Sequence, residues 1–86
     1  MRQIVFSPSA LKQLDGWRAT HPKIANRIIL LITAIAETPF SGVGKPEPLK
    51  HELHGKWSRR ITREHRLVYE VTDQEIRILS CKFHYD

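Results

Sequence analysis

Midway along this chain the spacing of apolar residues switches from helical to alternating, and the switch confines the fold to a narrow class. Before a connection at Thr38–Gly55, apolar side chains recur at helical spacing. After it they alternate. A 3.6-residue period followed by a period of 2 implies helices first and strands second, not βαβ units in alternation. Ile24, Ile28, Leu31, Ile32 and Ile35 fall at i, i+4, i+7, i+8 and i+11. Arg27, Thr33 and Glu37 are left to look outward. Ala10, Leu11, Leu14 and Trp17 form a shorter stripe of the same kind. Ser7-Pro8 opens the first helix, since Ser7 accepts from orphan N–H groups and proline suits the first helical position. His21-Pro22 ends that helix and opens the second, with His21 or Thr20 as cap. The second helix stops before Pro39. Upstream, Gln3 to Phe6 is a short β-branched run that reads as a strand.

Trp57–Thr62, Arg66–Thr72 and Ile76–Phe83 read as three strands joined by turns at Arg63-Glu64 and Asp73-Gln74. The order is β-α-α-β-β-β, an α+β domain with a helical hairpin on one face of a small, mostly antiparallel sheet. Strand parity sorts the side chains. Leu67, Tyr69 and Val71 face the helices, and Arg66, Val68 and Glu70 face away. In the last strand the same logic sends Leu79, Cys81 and Phe83 to the helices. Ile78, Ser80, Lys82 and His84 then go to the open face. Ser58, Arg60 and Thr62 are the more polar set of their strand, so Arg60 joins the open face. Arg59 falls between Trp57 and Ile61, a position that suits a sheet edge. Arg60, Arg66, Lys82 and His84 are thus expected together on one surface. Across an antiparallel diagonal of about 7–8 Å, long side chains can meet.

With 86 residues the expectation is a single domain spanning residues 1–86. The pI near 9.8 points to a polyanionic partner, nucleic acid being the commonest. From Lys45 to Arg66 there are seven Lys or Arg against three Glu, so +4 of the chain's formal +5 lies in this one stretch. Cys81 is the single cysteine, which provides no disulfide framework and suits a reducing cytoplasm. No apolar run approaches membrane-spanning length and the first residues form no signal-like apolar segment, so no membrane partner is expected.

Pro46 and Pro48 flank Glu47, fixing φ on both sides, and Pro48 pushes Glu47 toward an extended backbone. A stiffly held carboxylate among cations suits acid–base work on an anion. RNA cleavage by internal attack needs a base for the 2′-OH, a cation for the charge developing at phosphorus, and an acid for the leaving 5′-oxygen. Glu47 fits the base, Arg66 the phosphate clamp and His84 the acid, and no metal or other cofactor is called for. Each residue has a plainer reading. Glu47 is also readable as a solvated loop residue, Arg66 as an ordinary phosphate or ion-pair residue, and His84 as an exposed residue near a C-terminus. His51 and His54 have a spacing that invites a metal, but no second ligand pair accompanies them. His21 and His65 read as cap and turn residues, Trp57 and Tyr69 as packing, and Tyr85 as a residue that can stack on a base.

The segments GKPEPLKH, WSRRI and EHRLVY, with His84-Tyr85 near the end, resemble the YoeB/Txe toxins of the RelE/ParE superfamily along essentially the whole chain. The resemblance implies a RelE-like fold and a bacterial ribosome-dependent endonuclease that cuts mRNA in the A site. It also implies neutralisation by a cognate YefM-type antitoxin and, from the best-known members, a homodimer. It places the general base on Glu47, the phosphate-stabilising arginine on Arg66 and the general acid on His84, with Tyr85 helping to hold RNA. Lys50 and Arg60 are implied contacts to mRNA or ribosomal RNA. Departures are few. Phe83 stands where tyrosine is more usual, Lys56 replaces a commonly aromatic residue, and Asp86 adds a carboxylate after the His-Tyr pair. Two other classes compete: a ParE-like toxin that binds gyrase, which generally lacks the Glu/Arg/His set, and a non-catalytic RNA-binding domain, for which the basic sheet alone suffices.

Overall fold

The structure, a computed structural model, describes residues 2–83. Strand β1 (Gln3–Phe6) leads into α1 (Pro8–Thr20) and α2 (Pro22–Glu37). Then follow β2 (Glu47–Pro48), one 3₁₀ turn (His51–Leu53), β3 (Lys56–Arg60), β4 (Arg66–Val71) and β5 (Glu75–Ser80). The five strands form one sheet in the order β1-β5-β4-β3-β2. Only β1 runs parallel to its neighbour, β5; the other three pairings are antiparallel. The architecture is the expected α+β arrangement. The two-residue β2 is an addition that the sequence did not announce, because two residues between prolines carry no period.

Local chemistry starts the helices as expected. The Ser7 side chain accepts from the Ala10 N–H, with Pro8 at the first helical position. At α2 the cap residue is His21, whose side chain caps nothing. Its carbonyl accepts instead from Ile24 and Ala25. The α2 stripe is buried as its period requires: Ile28, Leu31, Ile32 and Ile35 join Ala10, Leu14 and Trp17 against Leu67, Tyr69, Ile76 and Ile78. Burying each of the leucines and isoleucines contributes about 1.5–3 kcal/mol. Leu11 is an exception, 48% exposed and off the stripe.

Parity expectations for the last strand fail at a bulge and again where alternation stops. Tyr69 pairs with Ile78 while Val68 pairs with Ser80, so Leu79 is an extra residue on β5, a β-bulge. A bulge reverses the facing of everything beyond it. Before the bulge, Ile76 and Ile78 face the helices, and Ile78 is fully buried rather than on the open face. After it, Cys81 is in the core, as alternation through the last residues predicted, whereas Ser80, paired with Val68, is buried and its hydroxyl donates to Gln13 of α1 at 3.3 Å. Alternation then stops. Phe83 is 64% exposed rather than packed on the helices. Lys82 lies over the Trp17 ring of α1, 5.6 Å from its centroid, not on the open face.

Where β5 leaves the ladder, α1 takes over its polar groups. The Gln13 side-chain oxygen accepts from the Cys81 N–H at 2.7 Å, and Trp17 Nε1 donates to the Cys81 carbonyl at 2.9 Å. An unpaired buried peptide would cost what a lost hydrogen bond costs, so these two side chains define where the strand ends.

Candidate active site

Glu47 stands on β2, the edge strand, opposite Ser58 of β3. An edge is where a sheet tolerates Pro48, which has no N–H to donate. The Leu49 N–H donates to the Lys56 carbonyl at 2.8 Å and continues the pairing. Glu47 is therefore held extended on the sheet, its side chain exposed.

Registers now place the other residues. Ser58 pairs with Val68, and Arg60 pairs directly with Arg66. Side chains two apart share a face, so Glu47, Ser58, Arg60, Arg66 and Val68 all lie on the sheet face away from the helices. Glu47 and Arg66 sit two strands and one pleat repeat apart, roughly 12 Å between backbones from standard strand spacings. The Glu47 side chain is exposed and, among the described residues, forms no ion pair with Arg66. Lys50 follows β2 at its far end, so Lys50 and Arg60 flank Glu47 on opposite sides along the edge.

Arg66 is pre-oriented. Its Nη1 donates to three carbonyls of the β3–β4 turn: Thr62 at 2.8 Å, Arg63 at 3.1 Å and His65 at 3.2 Å. Among the described residues its Nε and Nη2 donate to nothing. A guanidinium fixed by one nitrogen and open at two others suits bidentate contact with a phosphate.

Charge is unevenly spread over this face. At one end Lys56, Glu70, Arg77 and Glu75 form a chain of ion pairs at 2.9 to 3.9 Å. Glu75 and then Glu70 hold the Arg77 proton more tightly than usual. These four charges cancel. At the other end Arg60 and Arg66 face each other across a strand pair, which costs energy unless an anion lies between them. Lys56 thus belongs to the neutralised end.

Arg59 is the residue that sequence reasoning misplaced. It is not at an edge: β3 lies between β2 and β4, and Arg59 is fully buried. Nη1 donates to the Val43 carbonyl at 3.1 Å, and Nη2 to the carbonyls of Ser41, at 2.9 Å, and Thr38. Nε donates to the Tyr69 hydroxyl at 3.2 Å, and that hydroxyl donates to the Pro39 carbonyl at 2.7 Å. The guanidinium ties down the loop that delivers Glu47. Desolvation pushes the Tyr69 hydroxyl's pKa up, while Arg59 pulls it back. The signal was present in the alternation of Trp57, Arg59 and Ile61. A charge on a core face must find partners, and the carbonyls of a Gly/Pro-rich loop are such partners.

His84 and Tyr85 lie outside the described residues, which stop one short of the candidate acid. His51 and His54 lie exposed around the 3₁₀ turn, and among the described residues no third metal-binding side chain joins them.

The sequence profile of the YoeB-like toxins of bacterial type II toxin–antitoxin systems matches residues 6–85. The chain belongs to that family. It is 62% identical to a toxin YoeB of Synechocystis sp. over 83 residues, covering 96% of each chain. A YoeB dimer from Staphylococcus aureus superposes with a TM-score of 0.91 at 44% identity, covering 98% of both chains. A YoeB–YefM complex from the same organism gives 0.89 at 43% identity over 99% of both. Membership agrees with the resemblance read from GKPEPLKH, WSRRI and EHRLVY. No helix among the described residues is long and apolar enough to cross a membrane.

Proposed function

We propose that this toxin is a ribosome-dependent endoribonuclease that cuts mRNA in the A site by internal attack. The observation that carries the reading is the shared face of Glu47 and Arg66, with Arg66 fixed to its turn by one nitrogen and, among the described residues, open at the other two. Glu47 takes the proton from the 2′-OH. The 2′-oxygen forms a bond to phosphorus, the bond from phosphorus to the 5′-oxygen breaks, and His84 supplies a proton to that leaving oxygen. Arg66 neutralises the charge gathered on the phosphoryl oxygens in between. The product is a 2′,3′-cyclic phosphate, and no metal enters because RNA supplies the nucleophile and side chains supply the base, cation and acid. Lys50 and Arg60 hold the RNA backbone on either side of Glu47, and Tyr85 holds a base. The site of action is the bacterial ribosome and its mRNA.

The family, and the YoeB–YefM complex among its structures, support a YefM-type antitoxin as the neutralising partner. An acidic segment across Arg60 and Arg66 would relieve their mutual repulsion, which gives such a partner its purchase. The dimeric relative supports a homodimer.

The test separates catalysis from binding. Wild type and Glu47→Gln are compared in single-turnover cleavage on programmed ribosomes. The variant should cleave about 10²- to 10⁴-fold more slowly while binding ribosomes as before, since the electrostatic attraction rests on the lysines and arginines. Full cleavage by Glu47→Gln would remove Glu47 as the base. In cells expressing the toxin alone, protein synthesis should fall first; DNA synthesis falling first would favour a gyrase-directed toxin.

A further inference from the structure

We infer that His65 is a positioning residue for the general acid, acting through Phe83; the inference rests on the nuclease reading of the site. His65 precedes Arg66 in the β3–β4 turn, and its side chain has no part in the chemistry above. Its Nδ1 accepts a hydrogen bond from the Phe83 N–H at 2.8 Å. A backbone N–H can only donate, so Nδ1 carries no proton and the neutral ring holds its proton on Nε2. The Arg66 N–H donates to the Phe83 carbonyl at 2.8 Å. Both peptide groups of Phe83 are therefore held by the dipeptide His65-Arg66, whose second member is the phosphate clamp.

Phe83 needs holding. Its φ is 63°, in the left-handed region that disfavours a bulky side chain. It is 64% exposed, so core packing does not impose this conformation. The strain of one left-handed residue and one neutral hydrogen bond are of the same order. Two bonds therefore hold the turn where one alone would roughly balance its strain. The His65 ring is itself fixed, edge-on against Trp17 at 4.8 Å between centroids and tilted against Phe83 at 5.8 Å. Trp17 in turn donates to the Cys81 carbonyl. The chain is thereby fixed on both sides of Lys82, and Phe83 is the last residue before His84. The consequence is a mechanical link: the turn that aims Arg66 also sets where the chain enters the candidate acid. Errors of about an ångström in such placement can cost on the order of 10²-fold in rate.

Two substitutions separate the hydrogen bond from the ring. His65→Phe keeps an aromatic against Trp17 and removes the acceptor. His65→Asn loses the ring but offers a side-chain oxygen near the place of Nδ1. In single-turnover cleavage on programmed ribosomes, His65→Phe should be roughly ten- to a hundredfold slower with unchanged ribosome affinity, and His65→Asn should recover most of the rate. A folded His65→Phe that cleaves at the wild-type rate, or an Asn variant no faster than the Phe variant, overturns the inference. Nitrogen-15 NMR of the wild-type chain gives a reading that needs neither cleavage nor variants. It should show His65 with an unprotonated, hydrogen-bonded Nδ1 and a Phe83 amide slow to exchange with solvent. A rapidly exchanging Phe83 amide, or a proton on Nδ1, overturns the positioning role. If wild type cleaves no RNA, the nuclease reading fails instead, and the NMR still decides whether His65 holds Phe83.

Discussion

Arg59 and Cys81 show how single side chains set conditions for the rest. Arg59 is a buried cation with no carboxylate partner among the described residues; carbonyl oxygens and one hydroxyl neutralise it. Removing it takes this donor from the Tyr69 hydroxyl and from the Thr38 and Val43 carbonyls, while the Ser41 carbonyl keeps the Thr38 hydroxyl. Arg59→Met should therefore destabilise by about 1–3 kcal/mol, as leaving a desolvated acceptor unsatisfied does. In an 86-residue chain each kcal/mol is about 4–8 °C of melting temperature. Thermal denaturation showing a shift within 2–3 °C, about half a kcal/mol, would contradict this. Arg59→Lys should recover little, because one ammonium cannot reach four acceptors in a plane. Cys81 gives a pH dependence. Burial pushes its thiol up to about 11, from an ordinary value of 9.0. A group whose folded pKa is raised stabilises fully below its unfolded pKa, and that stability is lost as pH rises through the folded value. Between pH 8 and 10.5 the wild type should lose roughly 2 kcal/mol more than Cys81→Ala. Guanidinium unfolding at the two pH values measures it; equal losses would mean the buried thiol is not linked to folding. Tyr69 weakens folding in the same direction but is present in both proteins.

At the scale of elements, the connections flanking β2 depend on glycine at one position and merely prefer it at another. Gly44 has φ +88°, and a Cβ there would stand 2.8 Å from Leu31 Cδ2 and 3.2 Å from Arg59 Cβ. Gly55 has φ +91° with nothing within 4 Å. Both alanine substitutions incur backbone strain of about 1–2 kcal/mol. Gly44→Ala adds a collision with α2 and with the residue that anchors the loop, so it should cost clearly more and should slow cleavage by moving Glu47. Unfolding and cleavage assays on the pair test this, and equal effects would show that the close approach is not limiting. The same elements explain what the sequence disclosed. The α2 stripe was legible because five apolar residues repeat one period over three turns. The open-face positions of Arg60 and Arg66 were legible because β3 and β4 alternate without interruption. The β5 facing was not, since Leu79 looks like any strand residue and only pairing against Val68 and Tyr69 reveals it as extra. The partners of Arg59 and His65 were not, because they lie in distant backbone: the carbonyls of 38–43 and the N–H of Phe83.

The whole molecule works as a rigid two-layer platform with a charged outer face. The helices bury one side of the sheet, and their contacts with Cys81 extend that support to the chain end. On the other side, Lys56, Glu70, Arg77 and Glu75 neutralise one end and concentrate positive charge at Arg60 and Arg66. A polyanion is therefore drawn to the end where Glu47 and Arg66 share a face, and the antitoxin proposed above competes for that end. The central claim is that the RNA's own 2′-hydroxyl is the nucleophile. It is tested most directly by programming ribosomes with an mRNA carrying a single 2′-deoxy nucleotide at the cut, beside the all-ribose message. The account predicts that the ribose message is cut to a 2′,3′-cyclic or 3′-phosphate end and that the deoxy message is not cut at that bond. Cleavage of the deoxy message there, or a 3′-hydroxyl end on the ribose product, would contradict it.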